Sequence, residues 1–344
     1  MRLVYDLSYE DWIEYFLSKG LKKYRAKQVF SWLYKKRVSS FSQMSDIDEK
    51  LRSDLDSEFT FKAFEVVKKQ IATDGTRKYL LKLKDNSLIE TVLMKYDYGN
   101  TVCVTTQIGC NMGCTFCASG LLKRTRNLDA GEIVAQVTFV QSELDEDEDR
   151  VSNIVVMGIG EPFDNYDNTM KFMSIVNDDN GLAIGARHIT VSTCGLVKRI
   201  KDFADEKKQY NLAISLHAPN NELRSKIMPI NRVYNLEKLM DALRYYSDKS
   251  NRRITFEYIL LKGVNDQPEH AKQLKELIRG LNCYVNLIPY NEVSESGYLT
   301  VDYKSSLNFY DYLSKLNVRC TLRQKQGEDI DAACGQLRAN YERA

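Results

Sequence analysis

Three thiols stand within one short stretch, Cys110-Asn-Met-Gly-Cys114-Thr-Phe-Cys117, with no fourth cysteine nearby downstream. Iron–sulfur clusters are normally held by four thiolates, so a three-thiolate loop leaves one iron open to a substrate or cofactor. Two other readings use the same residues. Cys103 could complete a closed tetrahedral zinc site with Cys110, Cys114 and Cys117, giving a noncatalytic, metal-stabilised RNA-binding protein. A disulfide framework suits short secreted chains, whereas here eight cysteines are spread over 344 residues whose first residues form no basic-then-apolar leader, so a reducing, cytoplasmic setting is expected. A ferredoxin would close its cluster with a fourth cysteine and be far shorter.

With an aromatic, Phe116, just before its last cysteine, the CxxxCxxC loop resembles that of the radical S-adenosylmethionine (SAM) enzymes. In them the open iron of a [4Fe-4S] cluster binds SAM, and one-electron reduction releases a 5′-deoxyadenosyl radical. Beside such a loop, Met157-Gly-Ile-Gly160-Glu161-Pro162 gains meaning. Gly160 lets a ligand approach the backbone, and Glu161 can accept hydrogen bonds from the methionine ammonium; without the loop, the same residues read equally as a tight turn. Ser192, Ser215-Leu216-His217 and Asn291 stand at predicted strand ends and would add ribose and carboxylate contacts, with caps and turns as their plain alternatives. Cys194, Cys283 and Cys320 read as inert buried thiols.

These residues need a rigid frame. With 43% hydrophobic and 28% charged residues, and no apolar run long enough to span a bilayer, the chain reads as globular, one large domain with a smaller one and no membrane partner. After residue 100, strands predicted at 101–106, 153–157, 188–192, 212–215, 254–259 and 285–288 alternate with helix-length segments. That alternation predicts a parallel sheet, an α/β partial, open (β/α)6 barrel with its chemistry at the carboxyl ends of the strands. Asp129 and Glu132 signal a helix start. Residues 76–84 and 88–96 read as a hairpin extension, assigned to 66–97, between a helical unit at 1–65 and a core at 98–344. The acidic run 143–149 reads as a solvated loop.

The helical unit has an uneven charge. From Tyr15 to Met44 no residue is acidic, while Lys19, Lys22, Lys23, Arg25, Lys27, Lys35, Lys36 and Arg37 are basic and interleaved with aromatics. Such clustering suits phosphate, so the unit is expected to bind RNA, its aromatics serving mainly as core.

Taken in order, Cys110-Asn-Met-Gly-Cys-Thr-Phe-Cys-Ala-Ser, Arg126-Asn-Leu-Asp-Ala-Gly-Glu-Ile, Met157-Gly-Ile-Gly-Glu-Pro, Ser215-Leu-His-Ala-Pro, Met228-Pro-Ile-Asn and Asp329-Ile-Asp-Ala-Ala-Cys-Gly-Gln-Leu resemble the bacterial RlmN/Cfr family of radical RNA methyltransferases over nearly the whole chain. The resemblance implies methylation of an adenine in 23S rRNA, with an anticodon-loop adenine of certain tRNAs as a second target, and a one-electron reductant such as flavodoxin. It implies that Cys334 takes a methyl group from one SAM, that a second SAM supplies the radical, that Cys103 releases the product through a transient disulfide, and that Glu90 accepts a proton. Without the resemblance, Glu90 reads as an exposed strand carboxylate. Proline after Glu161 is similar to the branch acting at adenine C2, whereas the C8 branch tends to carry alanine. Lys123 departs from the family's usual glycine and is given no role. A monomer is expected.

Overall fold

The structure, a computed structural model, describes residues 1–121, 123–293, 295–324, 326–327, 329–331 and 335–343; Cys334 lies outside the described residues. The chain starts with a two-residue strand, β1 (Arg2–Leu3), and three helices, α1 (Tyr9–Ser18), α2 (Tyr24–Tyr34) and α3 (Glu49–Glu58), which match the helical spacing. Ser8 and Asp11 form a reciprocal capping box at the start of α1, satisfying two main-chain N–H groups. Trp12, Phe16, Phe30 and Tyr34 are fully buried, confirming the aromatics as core. β2 (Phe59–Thr60) pairs in parallel with β1, adding a short sheet to the helical unit.

This unit shares one hydrophobic core with the rest of the chain. A Cβ on Gly181 would stand 2.7 Å from Cε1 of Phe30, so the glycine lets α2 seat closely. The Asp6 carboxylate accepts the Gly131 N–H at 2.8 Å.

Ten strands form the main sheet. β3 (Phe64–Ile71), β4 (Arg77–Leu83) and β5 (Leu88–Tyr96) run antiparallel, and β5 pairs antiparallel with β6 (Gly99–Cys103). The small antiparallel pair β7 (Gln107–Ile108) and β8 (Arg126–Asn127) follows. Then β9 (Val151–Val156), β10 (Ile189–Thr193), β11 (Asn211–Ser215), β12 (Ile254–Leu260), β13 (Cys283–Pro289) and β14 (Cys320–Leu322) continue in parallel from β6. The intervening helices are α4 (Ala130–Asp145), α5 (Tyr166–Asn177), α6 (Val197–Asp205), α7 (Asn221–Ile227), α8 (Leu236–Ser250), α9 (Pro268–Leu277) and α10 (Tyr303–Lys315), with α11 (Gln336–Arg343) last. Among the described residues, the sheet ends at β14 and β3 and forms no closed barrel. All six predicted parallel strands are present, and α4 begins at the Asp129–Glu132 capping box.

Two of the described strands of the main sheet escaped the sequence reading. β14 has only three residues. β3 is a largely exposed edge strand, with lysines at 68 and 69 and a bulge between Val66 and Lys68, features that blunt a free edge while hiding the alternation.

The acidic run is an exposed turn at 146–149, as expected of a solvated loop, but not at its start. Its first residues complete α4, and their carboxylates join three parts of the chain: Glu143 pairs with Lys69 at 2.8 Å, Asp147 with Arg77 at 2.7 Å, and Asp145 with Arg37 of the helical unit. Among the described residues, no helix is long and apolar enough to cross a membrane.

Candidate active site

The cysteine loop leaves the sheet after β6 and is closed at its base by β7–β8, with the Thr125 N–H donating to Ile108 O at 2.7 Å. Gly113 has φ +65°, a left-handed turn that glycine takes without cost. The loop is gripped from outside. Thr115 N–H donates to Ile227 O at the end of α7 at 3.0 Å, the Tyr290 hydroxyl donates to Phe116 O at 3.1 Å, and the Phe116 ring stands edge-on to His217 with centroids 5.0 Å apart.

Cys110, Cys114 and Cys117 all line one cavity of about 360 Å³ at the carboxyl ends of the parallel strands, which Gly160, Glu161, Ser192, Ser215, His217 and Asn291 also line. Burial pushes the Cys110 thiol up to about 12 and the Cys114 thiol higher. Such thiols ionise readily only beside a strong positive charge, which bound metal would bring. Among the described residues, no three His, Cys, Asp or Glu side chains meet as a single ion requires. Thiols that bind different irons of one cluster need not meet at a point, so the donor set fits a cluster and offers no preformed zinc site. Cys103, the fourth ligand in the zinc reading, is buried on β6 opposite Val92 and does not line the cavity.

Glu161 follows β9. The two glycines before it serve the neighbouring chain more than a ligand: a Cβ on Gly158 would stand 2.6 Å from Val104 O, and one on Gly160, where φ is +111°, 2.7 Å from Gln107 Cβ. The Glu161 carboxylate is 3% exposed and accepts main-chain N–H groups from Phe163 at 3.0 Å and Cys194 at 2.8 Å. Burial raises its pKa above the ordinary carboxylate value, and these bonds partly oppose the shift. Among the described residues, no ammonium or guanidinium lies within ion-pair distance of it. A buried carboxylate with N–H donors and no cation is built to receive one.

Ser192 and Ser215, at the ends of β10 and β11, place their hydroxyls 3.4 Å apart on the cavity wall. His217 has φ +57°, and its Nδ1 accepts the Ile259 N–H at 3.1 Å; burial, helped by nearby Arg224, lowers its pKa to about 3, so the ring is neutral. Leu216 is fully buried behind the wall and does not line the cavity. Asn291 sits exposed at the rim.

Glu90 is not an exposed strand carboxylate. It is 4% exposed on β5, because β4 and β5 are covered by the chain's last segment. Its Oε2 lies 3.0 Å from the ammonium of fully buried Lys78 and accepts the Gly335 N–H at 2.6 Å, while Oε1 accepts the Arg338 N–H at 2.7 Å. The carboxylate thus caps α11 from a neighbouring strand. Lys78 also donates to Asp331 O at 2.6 Å, and Gln70 exchanges two hydrogen bonds with Asp331. The β3–β4 hairpin therefore holds Gly327 and Asp331, while β5 holds Gly335 and Arg338.

The sequence reading passed over Lys78 and Arg224. Each stands beside a polar residue, Lys78 after Arg77 and Arg224 before Ser225-Lys226, as a surface cation would, and neither belongs to a spacing that marks chemistry.

The profile of the radical SAM superfamily matches residues 104–274, and that of the ribosomal RNA large subunit methyltransferase N-terminal domain matches residues 4–60. "Probable dual-specificity RNA methyltransferase RlmN" from Staphylococcus saprophyticus is 57% identical over 98% of this chain and 92% of its own length. The protein of the same name from Staphylococcus aureus strain JH9 is 56% identical over the same shares. The crystal structure of a radical SAM methyltransferase from Sphaerobacter thermophilus superposes with a TM-score of 0.94 at 42% identity, covering 98% of this chain and 99% of that one. On this similarity along its length, and with the cysteine loop and the buried glutamate in one cavity, the chain belongs to the RlmN family of radical SAM RNA methyltransferases.

Proposed function

We propose that this chain methylates C2 of an adenine in 23S rRNA and of an adenine in the anticodon loop of certain tRNAs, in the cytoplasm, as a monomer supplied with electrons by a reductant such as flavodoxin. The observation that carries the reading is the cavity in which three thiols share a wall with a buried carboxylate lacking a cation. The dual specificity in the relatives' names supports two RNA substrates. A cluster on Cys110, Cys114 and Cys117, with SAM on its open iron, would supply the 5′-deoxyadenosyl radical that an unreactive aromatic C–H demands.

This chain's residues hold and orient. Glu161 takes the ammonium of SAM. Gly160, Ser192, Ser215, the backbone around Leu216 and His217, and Asn291 hold its ribose and carboxylate, and His217, being neutral, adds no competing charge. Cys334 carries the methyl group, and Cys103 frees the product by forming a disulfide with it. Glu90 accepts the proton lost from the adenine ring: a carboxylate offers about four lone-pair positions, and with the bonds from Gly335, Lys78 and Arg338 in place one remains on Oε1.

Residues 1–65 bind RNA, 66–97 form the hairpin and 98–344 carry the chemistry. Among the described residues, Lys22, Lys23, Lys27, Lys35 and Lys36 are exposed and form no ion pair, whereas Lys19, Arg25 and Arg37 do. Because the helical unit shares the core, its role is tested by charge removal and not by deletion. Replacing Lys22, Lys23 and Lys27 with Gln should flatten the log–log salt dependence of RNA affinity by about two units; an unchanged slope removes RNA binding from this surface.

Mass spectrometry of digested rRNA and tRNA after reaction decides the chemistry. A new methyl at adenine C2 in both RNAs is expected. A methyl at C8, or none, overturns the reading.

A further inference from the structure

Arg224 is fully buried in α7, and every partner of its guanidinium is a neutral oxygen. Nε donates to Leu216 O at 3.2 Å, Nη1 to Asn231 Oδ1 at 3.1 Å, and Nη2 to Cys194 O at 2.6 Å and Ser215 O at 3.3 Å. Among the described residues, no carboxylate stands within ion-pair distance of it. A buried charge without a counter-charge is costly, so one is expected close by when the protein is complete.

Two anionic groups are in reach. Glu161 is connected through a single residue, since Cys194 gives its N–H to Glu161 and its C=O to Arg224. The ligand ammonium, however, neutralises Glu161. The other is the cysteine loop: the end of α7 holds Thr115, next to Cys114, by the bond from Thr115 N–H to Ile227 O at 3.0 Å.

We propose that Arg224 is the built-in counter-charge of the three-cysteine loop and makes the cluster held there easier to reduce. The inference rests on the cluster reading above. Adding an electron to an already anionic thiolate-bound group is opposed by its own charge, and a fixed cation in a dry interior lowers that opposition. The electron comes from the external reductant, and no bond is made or broken. Arg224 touches neither substrate nor reacting atoms, so it is a positioning residue.

The test is the midpoint potential of the anaerobically reconstituted full chain, followed by electron paramagnetic resonance during dithionite titration, with iron and sulfide analysed in parallel. Arg224→Gln keeps donors toward Cys194 O but loses the charge. It should be about tenfold harder to reduce, a shift of about 59 mV to more negative potential for one electron. Arg224→Lys keeps the charge and should stay within about threefold of the parent. If Arg224→Gln fails to hold iron, Asn231→Asp decides: it sets a carboxylate against the same guanidinium and should make reduction about threefold harder. Arg224→Gln, or Asn231→Asp where it decides, holding full iron yet keeping the parent potential overturns the role of Arg224, as does a tenfold shift in Arg224→Lys. If the parent chain assembles no cluster, the underlying reading fails instead.

Discussion

Two of the molecule's buried glutamates stand in different surroundings. Glu161, in the cavity, and Glu90, under the last segment, are 3% and 4% exposed, and each accepts two main-chain N–H groups. They differ in one respect. Glu90 has a resident cation, Lys78 at 3.0 Å, whereas among the described residues Glu161 has none. Burial of a carboxylate favours a positive partner or neutralisation; the fold gives Glu90 a cation and ties it to α11, and among the described residues gives Glu161 none. The same residue type thus anchors α11 from β5 and, beyond β9 two strands away, lines the cavity.

The largest expected effect comes from removing the resident cation. Lys78→Met strands Glu90 as an unpaired buried charge and should cost about 3–5 kcal/mol. Hydrogen exchange should quicken at residues 335–343, and Lys78→Met with Glu90→Gln should recover part of the loss. If the single variant melted like the parent, the anchoring role of the pair would be refuted.

Glu161→Gln is the converse. No resident partner is stranded, so the fold should melt within about 1 kcal/mol of the parent, one hydrogen bond being weakened. SAM affinity, measured anaerobically by calorimetry, should fall at least about 30-fold, corresponding to about 2 kcal/mol for loss of a buried charge partner. Unchanged affinity would mean that the cavity carboxylate does not face the ligand ammonium.

The smallest effect is that of pH. The folded-state pKa of Glu161 is raised, so its contribution to stability is fully present below the ordinary carboxyl value and is lost as pH rises through the raised one. SAM binding runs the other way, weakening as pH falls through the raised value by at most about tenfold per unit, because the proton competes with the ammonium. Glu161→Gln should abolish this dependence. A parent affinity flat across that window would deny Glu161 its titrating role.

Much of the site could be read from residue order because its chemistry is local. The spacing of Cys110, Cys114 and Cys117, the Gly160-Glu161 strand end and the capping pair Asp129–Glu132 each lie within a few residues, and the structure places all three cysteines on one cavity with Glu161. Glu90 was legible only through family likeness. Its surroundings come from Lys78 and from residues about 245 positions further along, and strand alternation alone cannot tell a solvent face from one covered by a distant segment. The ion pairs of the acidic run were hidden for the same reason: their partners Arg37, Lys69 and Arg77 come from other elements.

Residue order by itself determined the alternating parallel sheet, the three-thiol loop and the acid beside it, because hydrophobic period, turn chemistry and ligand spacing act over short stretches of chain. Only the tertiary structure decided which buried charges have partners: Lys78 for Glu90, neutral oxygens for Arg224, none for Glu161 among the described residues. Burial and pairing depend on which distant segments fold against one another, and no local pattern encodes that.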